Sequence, residues 1–333
     1  MKNKPFAAID IGTNTFRLLI AEVMYNHGEG NYSIRELHSE RIVTRLGEGV
    51  VYSGLIKERA AKRSIIALNK FMDILSRHPV KDISAVATSA LRDAENSEDF
   101  LNKIKEITGL NIEIITGEEE AKKTAAGMLI GMNMPESALL VDIGGGSTEF
   151  IFTKQREPLS VQSIGLGVVY LADKYMKKDP PSNDDLNYMA DYVSSQITPI
   201  TEPFKKFFTD STVFIGTAGT VTALAAIVQN LTRYDHKKIH NTTIPKDKIR
   251  NIYSALSSVT ACERAKYLPF EPQRLDIIVP GTLILLKIIE TFDFQEIIVS
   301  NYGLREGILI DLYEKSKNRW SKASACQKKS KDN

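Results

Sequence analysis

Residues 7 to 20, AAIDIGTNTFRLLI, align without a gap on residues 139 to 152, LLVDIGGGSTEFIF, at a constant offset of 132. Each copy is an apolar run that ends in an aspartate, turns through Ile-Gly and leaves in a second apolar run. Apolar, β-branched runs of this length read as strands, and the glycines between them as a tight turn. Two such hairpins commit the chain to a duplicated architecture, because each must be completed by strands of its own sheet.

The order of elements extends the duplication. In the first half, strands are expected at 6 to 10, 16 to 23 and within 32 to 46, then a helix over 55 to 77 whose Ile65, Leu68, Phe71, Met72 and Leu75 form one stripe. A strand at 82 to 88, a helix after Asn96, a strand at 111 to 115 and a helix over 117 to 131 follow. The second half repeats the pattern with strands at 138 to 142, 148 to 153 and 159 to 164, helices over 166 to 177 and 183 to 206, and a strand at 212 to 216. Ser182 is the expected cap of the longer helix, with Asp184 and Asp185 at its positive end. Further helices, a strand at 296 to 300 and a last helix from 304 to 315 close the chain. Without its helical insertions, each half reads βββαβαβα. The expectation is an α/β fold of two related lobes, 1–134 and 135–315, with a cleft between them and the last helix packed back on the first lobe.

Composition narrows the setting. From Lys315 onward seven Lys/Arg face one acid, Asp332, so the excess of base is confined to the tail and the rest of the chain is net acidic. That tail, 316–333, lacks apolar periodicity and reads as disordered. No nucleic-acid partner is expected. The charge-free stretch from Ser211 to Thr232 carries five threonines and two glycines and reads as strand, turn and helix rather than a membrane span. The first apolar run is too short for a signal peptide, and two cysteines give no disulfide framework. A cytoplasmic location follows as the expectation.

A strand ending in aspartate before a glycine turn offers backbone N–H groups to an anion while placing a carboxylate beside it. The two coexist when a divalent cation, Mg²⁺ in the first instance, lies between carboxylate and phosphate. One such hairpin is more simply a tight turn; two in a matched frame favour a polyanion held from both sides. Gly144, Gly145, Gly146 and Ser147 form one turn, Thr13, Asn14 and Thr15 the other, and Asp10 and Asp142 are the carboxylates. Gly216-Thr217-Ala218-Gly219-Thr220, after a strand and at a helix start, suggests a third phosphate turn, although a structural turn would read alike.

The ordered motifs DIGTNTFRLLI, ATSALRDAEN, ITGEEEA, VDIGGGSTEF, GLGVVYL, GTAGTVTALAAI, VPGTLIL and GLREGIL span residues 6 to about 313. With them the chain resembles the exopolyphosphatase and guanosine pentaphosphate phosphohydrolase family, within the actin, hexokinase and Hsp70 ATPase superfamily. The resemblance implies the ribonuclease H-like, actin-like lobe topology. It also implies Mg²⁺-dependent hydrolysis of terminal phosphate from linear polyphosphate or guanosine pentaphosphate, in the family's short form, and a homodimer is an open expectation. Where the family often has SNS and an aspartate, this chain has Thr13-Asn14-Thr15 and Asn301; the second change removes a carboxylate, so Asn301 is given no metal role.

In-line attack of water on a phosphoryl group needs a carboxylate to take the proton. Of Glu118, Glu119 and Glu120, the spacing of Thr116 and Glu119 makes a capping box that occupies Glu119, whereas Glu120 lies about 100° further round. With Gly117 as the cap this separation weakens. The resemblance selects the same residue, since the family's catalytic glutamate directly precedes the alanine. It also implies phosphate contacts from Ser89, Arg92 and the Gly216, Thr217 and Gly219 turn, and metal contacts from Asp142, Glu149 and Asp10. The alternatives are a non-catalytic alarmone sensor and a sugar or acetate kinase of the same superfamily.

Overall fold

The computed structural model describes residues 4–26, 28, 30–132 and 136–329, with side chains as far as 318. The expected break at 134/135 lies outside the described residues. Strands β1 (Phe6–Ile11), β2 (Thr15–Asn26), β3 (Asn31–Val43), β4 (Ile83–Ala87) and β5 (Ile112–Ile114) form one sheet in the order β3-β2-β1-β4-β5. In the second sheet β6 (Ser137–Ile143), β7 (Thr148–Lys154), β8 (Glu157–Ile164), β9 (Val213–Thr217) and β11 (Glu296–Val299) repeat that order, and β10 (Thr243–Pro245) is added at the edge. In both, the first three strands are antiparallel and the next two join in parallel, while the added β10 pairs antiparallel with β11. This is the duplicated topology expected from the sequence.

The duplication holds to the residue. Asp10 pairs with Arg17 and Ile11 with Phe16 in the first hairpin; Asp142 pairs with Glu149 and Ile143 with Thr148 in the second. The turns close alike, with Gly12 N–H donating to Thr15 O at 3.2 Å and Gly144 N–H to Ser147 O at 2.9 Å. β1 and β6 are buried along nearly their whole length because helices cover both faces.

The helices are α1 (Val50–Ser53), α2 (Glu58–Ser76), α3 (Ser89–Asp93), α4 (Ser97–Thr108), α5 (Gly117–Met128), α6 (Val168–Tyr175) and α7 (Asn183–Lys205). There follow α8 (Ala218–Val228), α9 (His236–Ile239), α10 (Lys246–Ser257), α11 (Ala261–Arg264), α12 (Ile278–Thr291) and α13 (Leu304–Lys329). α2 buries Leu68, Phe71 and Leu75 against the first sheet, each worth about 1.5–3 kcal/mol of transfer from water. Ser182 caps α7 as expected, with Asp185 completing a capping box.

Two helices tie the lobes together. α5 lays Ala121, Ala125 and Met128 on Leu140 and Ile151 of the second sheet. α13 lays Leu304, Ile308 and Leu309 on Phe6, Ala8 and Leu19 of the first, so the last helix packs back as the sequence suggested. They cross through glycines: a Cβ on Gly127 would strike the backbone of Gly303, and one on Gly307 the backbone of Lys123. α5 begins with Gly117 and α13 directly follows Gly303, and each helix carries a buried glutamate three residues beyond that glycine, Glu120 and Glu306.

One expectation is corrected. The backbone of α13 stays helical to Lys329, across most of the tail read as disordered. Neither glycine nor proline interrupts 316–329, so a helix already anchored on the first sheet propagates at little cost per residue. Residues 330–333 lie outside the described residues. No helix among the described residues is long and apolar enough to cross a membrane.

Candidate active site

The two hairpin turns meet at the lobe boundary. A Cβ on Gly145 would lie 3.2 Å from the amide nitrogen of Asn14, and one on Gly146 would lie 2.5 Å from Ser89 Oγ and 2.8 Å from Thr13 Oγ1. Only glycine admits this approach. The carbonyls of Gly144 and Gly145 accept from Val168 and Val169 N–H, and those of Thr13 and Asn14 from Gly47, Thr44 and Arg45. Both turns are thus anchored through their acceptors, and their donors are what remains for an anion. Thr13 Oγ1 is buried without a hydrogen-bond partner, a cost of about 1–3 kcal/mol that a bound oxyanion would relieve.

A cavity of about 80 Å³ lies between the turns, lined by Asp10, Thr13 to Thr15, Ser89, Glu120, Asp142, Gly144 to Ser147, Glu149 and Gly219. It adjoins a cavity of about 290 Å³ whose wall includes Arg17, Arg41, Arg274 and Arg305. The sequence therefore brought most of its candidates to one place. Three make contacts that the sequence did not show. Arg92 points at Glu120, its Nη1 lying 2.9 Å from Glu120 Oε2 and 2.9 Å from Ile115 O, and is not among the residues lining the cavity. Gly216 packs beneath the sheet against Ile297 and Val221, because β9 is still in register with β6 there. Thr217 spends its hydroxyl on the carbonyls of Ser300 and Tyr302, at 3.0 and 2.8 Å.

Two hydroxyls are also committed. Ser89 Oγ donates to Asp93 Oδ2 at 3.1 Å, and Ser147 Oγ to Glu149 Oε1 at 2.6 Å. Glu149 Oε1 takes a second bond, 2.8 Å from Ser163 Oγ on β8, the residue opposite it in register. Ser147 is two residues before Glu149 on the same face of the strand.

On the carboxylate side, Thr116 and Glu119 form the full capping box at the start of α5, and Glu120 turns inward, 8% exposed. Burial first, then the charges of Glu149 and Asp142, push the Glu120 carboxyl well above the usual range, with Arg92 opposing. Burial and Glu149 push Asp142 up to about 7. Glu149 is raised by burial against its two serine hydrogen bonds. Asp10 is raised by burial and partly restored by Arg17, 3.6 Å away.

Burial raises all four, and like charge adds to it at Glu120 and Asp142, a condition a divalent cation relieves. The donors are hard carboxylate oxygens, which suit Mg²⁺ or Ca²⁺ and not a thiolate-loving metal. Among the described residues no three acidic, histidine or cysteine side chains gather as a ready-made cage. Mg²⁺ typically keeps its waters and takes only one or two protein carboxylates beside phosphate oxygens, so Asp142 and Glu149 fit that pattern. Asp10, committed to Arg17, fits it less well.

Sequence reasoning missed Arg274, which lies across the third turn: a Cβ on Gly219 would run into its guanidinium. It also missed Ala218, held at φ 72° in the left-handed region, a strained conformation for a residue with a side chain. The strain was not legible because alanine gives no hint of it; Arg274 sits 55 residues beyond its turn. Asn301 binds Tyr234 Oη through Oδ1 and His236 Nδ1 through Nδ2, each at 2.7 Å.

Relatives share this whole frame. The chain is 31% identical over 320 residues to exopolyphosphatase 2 of Mycobacterium tuberculosis, covering 92% of this chain and 98% of that one. It is 26% identical over 319 residues to the longer guanosine-5′-triphosphate,3′-diphosphate pyrophosphatase of Photobacterium profundum, covering 94% of this chain and 60% of that one. The crystal structure of the Aquifex aeolicus Ppx/GppA family member superposes with a TM-score of 0.76 at 30% identity, covering 94% of this chain and 98% of that one. The Ppx/GppA phosphatase family model matches residues 23–316, and the chain belongs to that family.

Proposed function

We propose that the chain releases terminal orthophosphate from linear inorganic polyphosphate, with guanosine pentaphosphate as a second substrate of the same site. One observation carries the hydrolytic reading. Glu120 is a buried carboxylate on the cavity wall, held by Arg92 and freed from cap duty by Glu119. A base with a raised pKa is matched to taking a proton from water near neutral pH.

The terminal phosphoryl group sits between the two turns, its oxygens taking the free N–H groups around Gly145 and Gly146 and the hydroxyls of Thr13 and Thr15. Glu120 orients the attacking water and accepts its proton, and Arg92 holds the carboxylate in place as it does so. Asp142 and Glu149 would hold a divalent cation, for which we propose Mg²⁺. When bound, it supplies charge neutralisation on the phosphate oxygens. The remainder of the phosphate chain extends into the larger, arginine-lined cavity.

Polyphosphate leads because the guanidinium groups of Arg17, Arg274 and Arg305 on the wall of the larger cavity suit a repeating anion. The nucleotide is favoured as a second substrate by Tyr234 and Phe270 on the wall of the same cavity, rings 6.4 Å apart, where a base could stack. The test is phosphate release from long polyphosphate and from guanosine pentaphosphate side by side, with Mg²⁺ and with EDTA. Faster release from polyphosphate that stops with EDTA is expected. Tight binding of either substrate without any release would replace the hydrolase by a sensor.

A further inference from the structure

Arg41, on β3 of the first lobe, reaches across the cleft and donates from Nη1 to Glu271 Oε1 at 2.8 Å. The other oxygen of the same carboxylate, Oε2, accepts from Arg274 Nε. Glu271 is 3% exposed and Arg274 8%, and the Arg274 guanidinium lies flat on Gly219 at the third turn. Three cations crowd here: Arg17 and Arg41 both repel Arg274, and Glu271 is the anion that counters them. A guanidinium buried beside like charges keeps its place only while its counter-charge is in place. A second cation from the same edge of the first lobe, Arg45, meets Asp276 at 2.7 Å, but that pair is largely open to solvent and does not touch Arg274.

We propose that Glu271 is a positioning residue, through which Arg41 of the first lobe sets the guanidinium of Arg274 over the Gly219 turn of the second. The two lobes are thereby coupled at the cationic side of the cleft: the half that carries Arg274 is complete only while the other half supplies Arg41. The inference deepens the polyanion-binding reading above and rests on it. It assigns Arg41 an indirect effect, acting through Glu271, and not a contact of its own with phosphate.

The test is a double-substitution cycle on binding. Affinity for imidotriphosphate, a hydrolysis-resistant tripolyphosphate analogue, is measured by calorimetry for the unsubstituted chain, Arg41→Met, Glu271→Gln and the pair. Melting temperatures control for folding. Arg41→Met is expected to weaken binding about 10-fold and Glu271→Gln about 100-fold, with the pair no weaker than Glu271→Gln alone. Arg41→Lys, which keeps a charge for Glu271, should recover part of the loss, whereas Arg45→Met should leave affinity within about 2-fold. If Glu271→Gln does not fold, Glu271→Asp takes its place in the cycle, since a shorter arm draws Arg274 off the turn. A loss from Arg41→Met that persists undiminished in the Glu271 variant, or no loss at all, would overturn the relay. Failure of the hydrolase reading shows separately, as intact polyphosphate after incubation with a chain that binds the analogue.

Discussion

The two hairpins share strand register, turn closure and a terminal aspartate, and one matched position carries opposite charge in the two: Arg17 stands opposite Asp10 where Glu149 stands opposite Asp142. In the first half a cation lies 3.6 Å from the aspartate; in the second, burial and then the neighbouring carboxylate push Asp142 up to about 7. A parallel difference separates the crossing helices. In α5 the capping work falls to Glu119, so that Glu120 faces the cavity. In α13 the matching Glu306 accepts from Gly303 N–H at 2.8 Å and pairs with Arg305 at 3.4 Å, and is spent locally. The duplicated backbone thus supplies two equivalent frames, and a few side chains make one acid-rich and the other charge-compensated. In the proposed function, the acid-rich frame is the one that holds the cation and faces the base.

Among changes that erase the difference between the halves, the largest effect should come from removing the residue that makes the two hairpins differ in charge. Glu149→Gln keeps shape and hydrogen-bonding capacity but deletes a proposed cation ligand, and turnover should fall about 10²-fold or more. A change of less than a few-fold, measured at saturating Mg²⁺, would mean that the asymmetry at this position is not functional. Arg92→Ala comes next. It removes a charge-assisted bond worth about 1.5–3 kcal/mol, and because Arg92 touches Glu120 and not the cavity, kcat should suffer more than KM. Arg92 also opposes the upward shift of Glu120, so its loss should move the rising limb of the kcat–pH profile to higher pH. A KM effect with an unmoved profile would return Arg92 to direct phosphate binding.

Stability against pH sharpens the comparison without any substrate. Glu120, Asp142, Glu149 and Asp10 all hold protons more tightly folded than unfolded. The stability they contribute is full below the ordinary carboxyl range and is lost as pH rises through their folded values, about 7 for Asp142. In EDTA, melting temperature should therefore fall from pH 5.5 to 8, and Glu149→Gln should flatten the slope by relieving both Asp142 and Glu120. A steeper slope in that variant would contradict the charge assignment. The smallest effect is reserved for Glu119→Gln, which loosens the cap of α5 and should lower the melting temperature by about 1–2 °C while sparing turnover.

What the sequence made legible was whatever is local or repeated. The hairpins, the capping box at Thr116 and the order of strands follow from spacing along a few residues, and the 132-residue offset tied the halves together before any coordinates. Arg92 was legible at the site but its bond to Glu120 was not, since nothing local shows that its guanidinium reaches 28 residues ahead. The packing of Gly216 on Ile297 and the bonds of Thr217 to Ser300 and Tyr302 were likewise illegible, because they cross to a distant segment. Ser163, Glu271 and Arg274 were missed because tertiary pairing alone brings them in: Ser163 through the β7–β8 register, the other two through the segment that precedes α12. The helical tail was missed for the opposite reason. Its sequence lacks periodicity, and its order is inherited from the anchored turns before it.

The central claim is that Glu120, and not its neighbour, takes the proton from water. Turnover of polyphosphate at saturating substrate by Glu120→Gln and Glu119→Gln tests it within one preparation. The account predicts a loss of about 10² to 10⁴ for Glu120→Gln with substrate affinity and melting temperature nearly unaltered, and near-normal turnover for Glu119→Gln. Equal, small losses from both would contradict it and leave the acidic start of α5 as helix-end electrostatics alone.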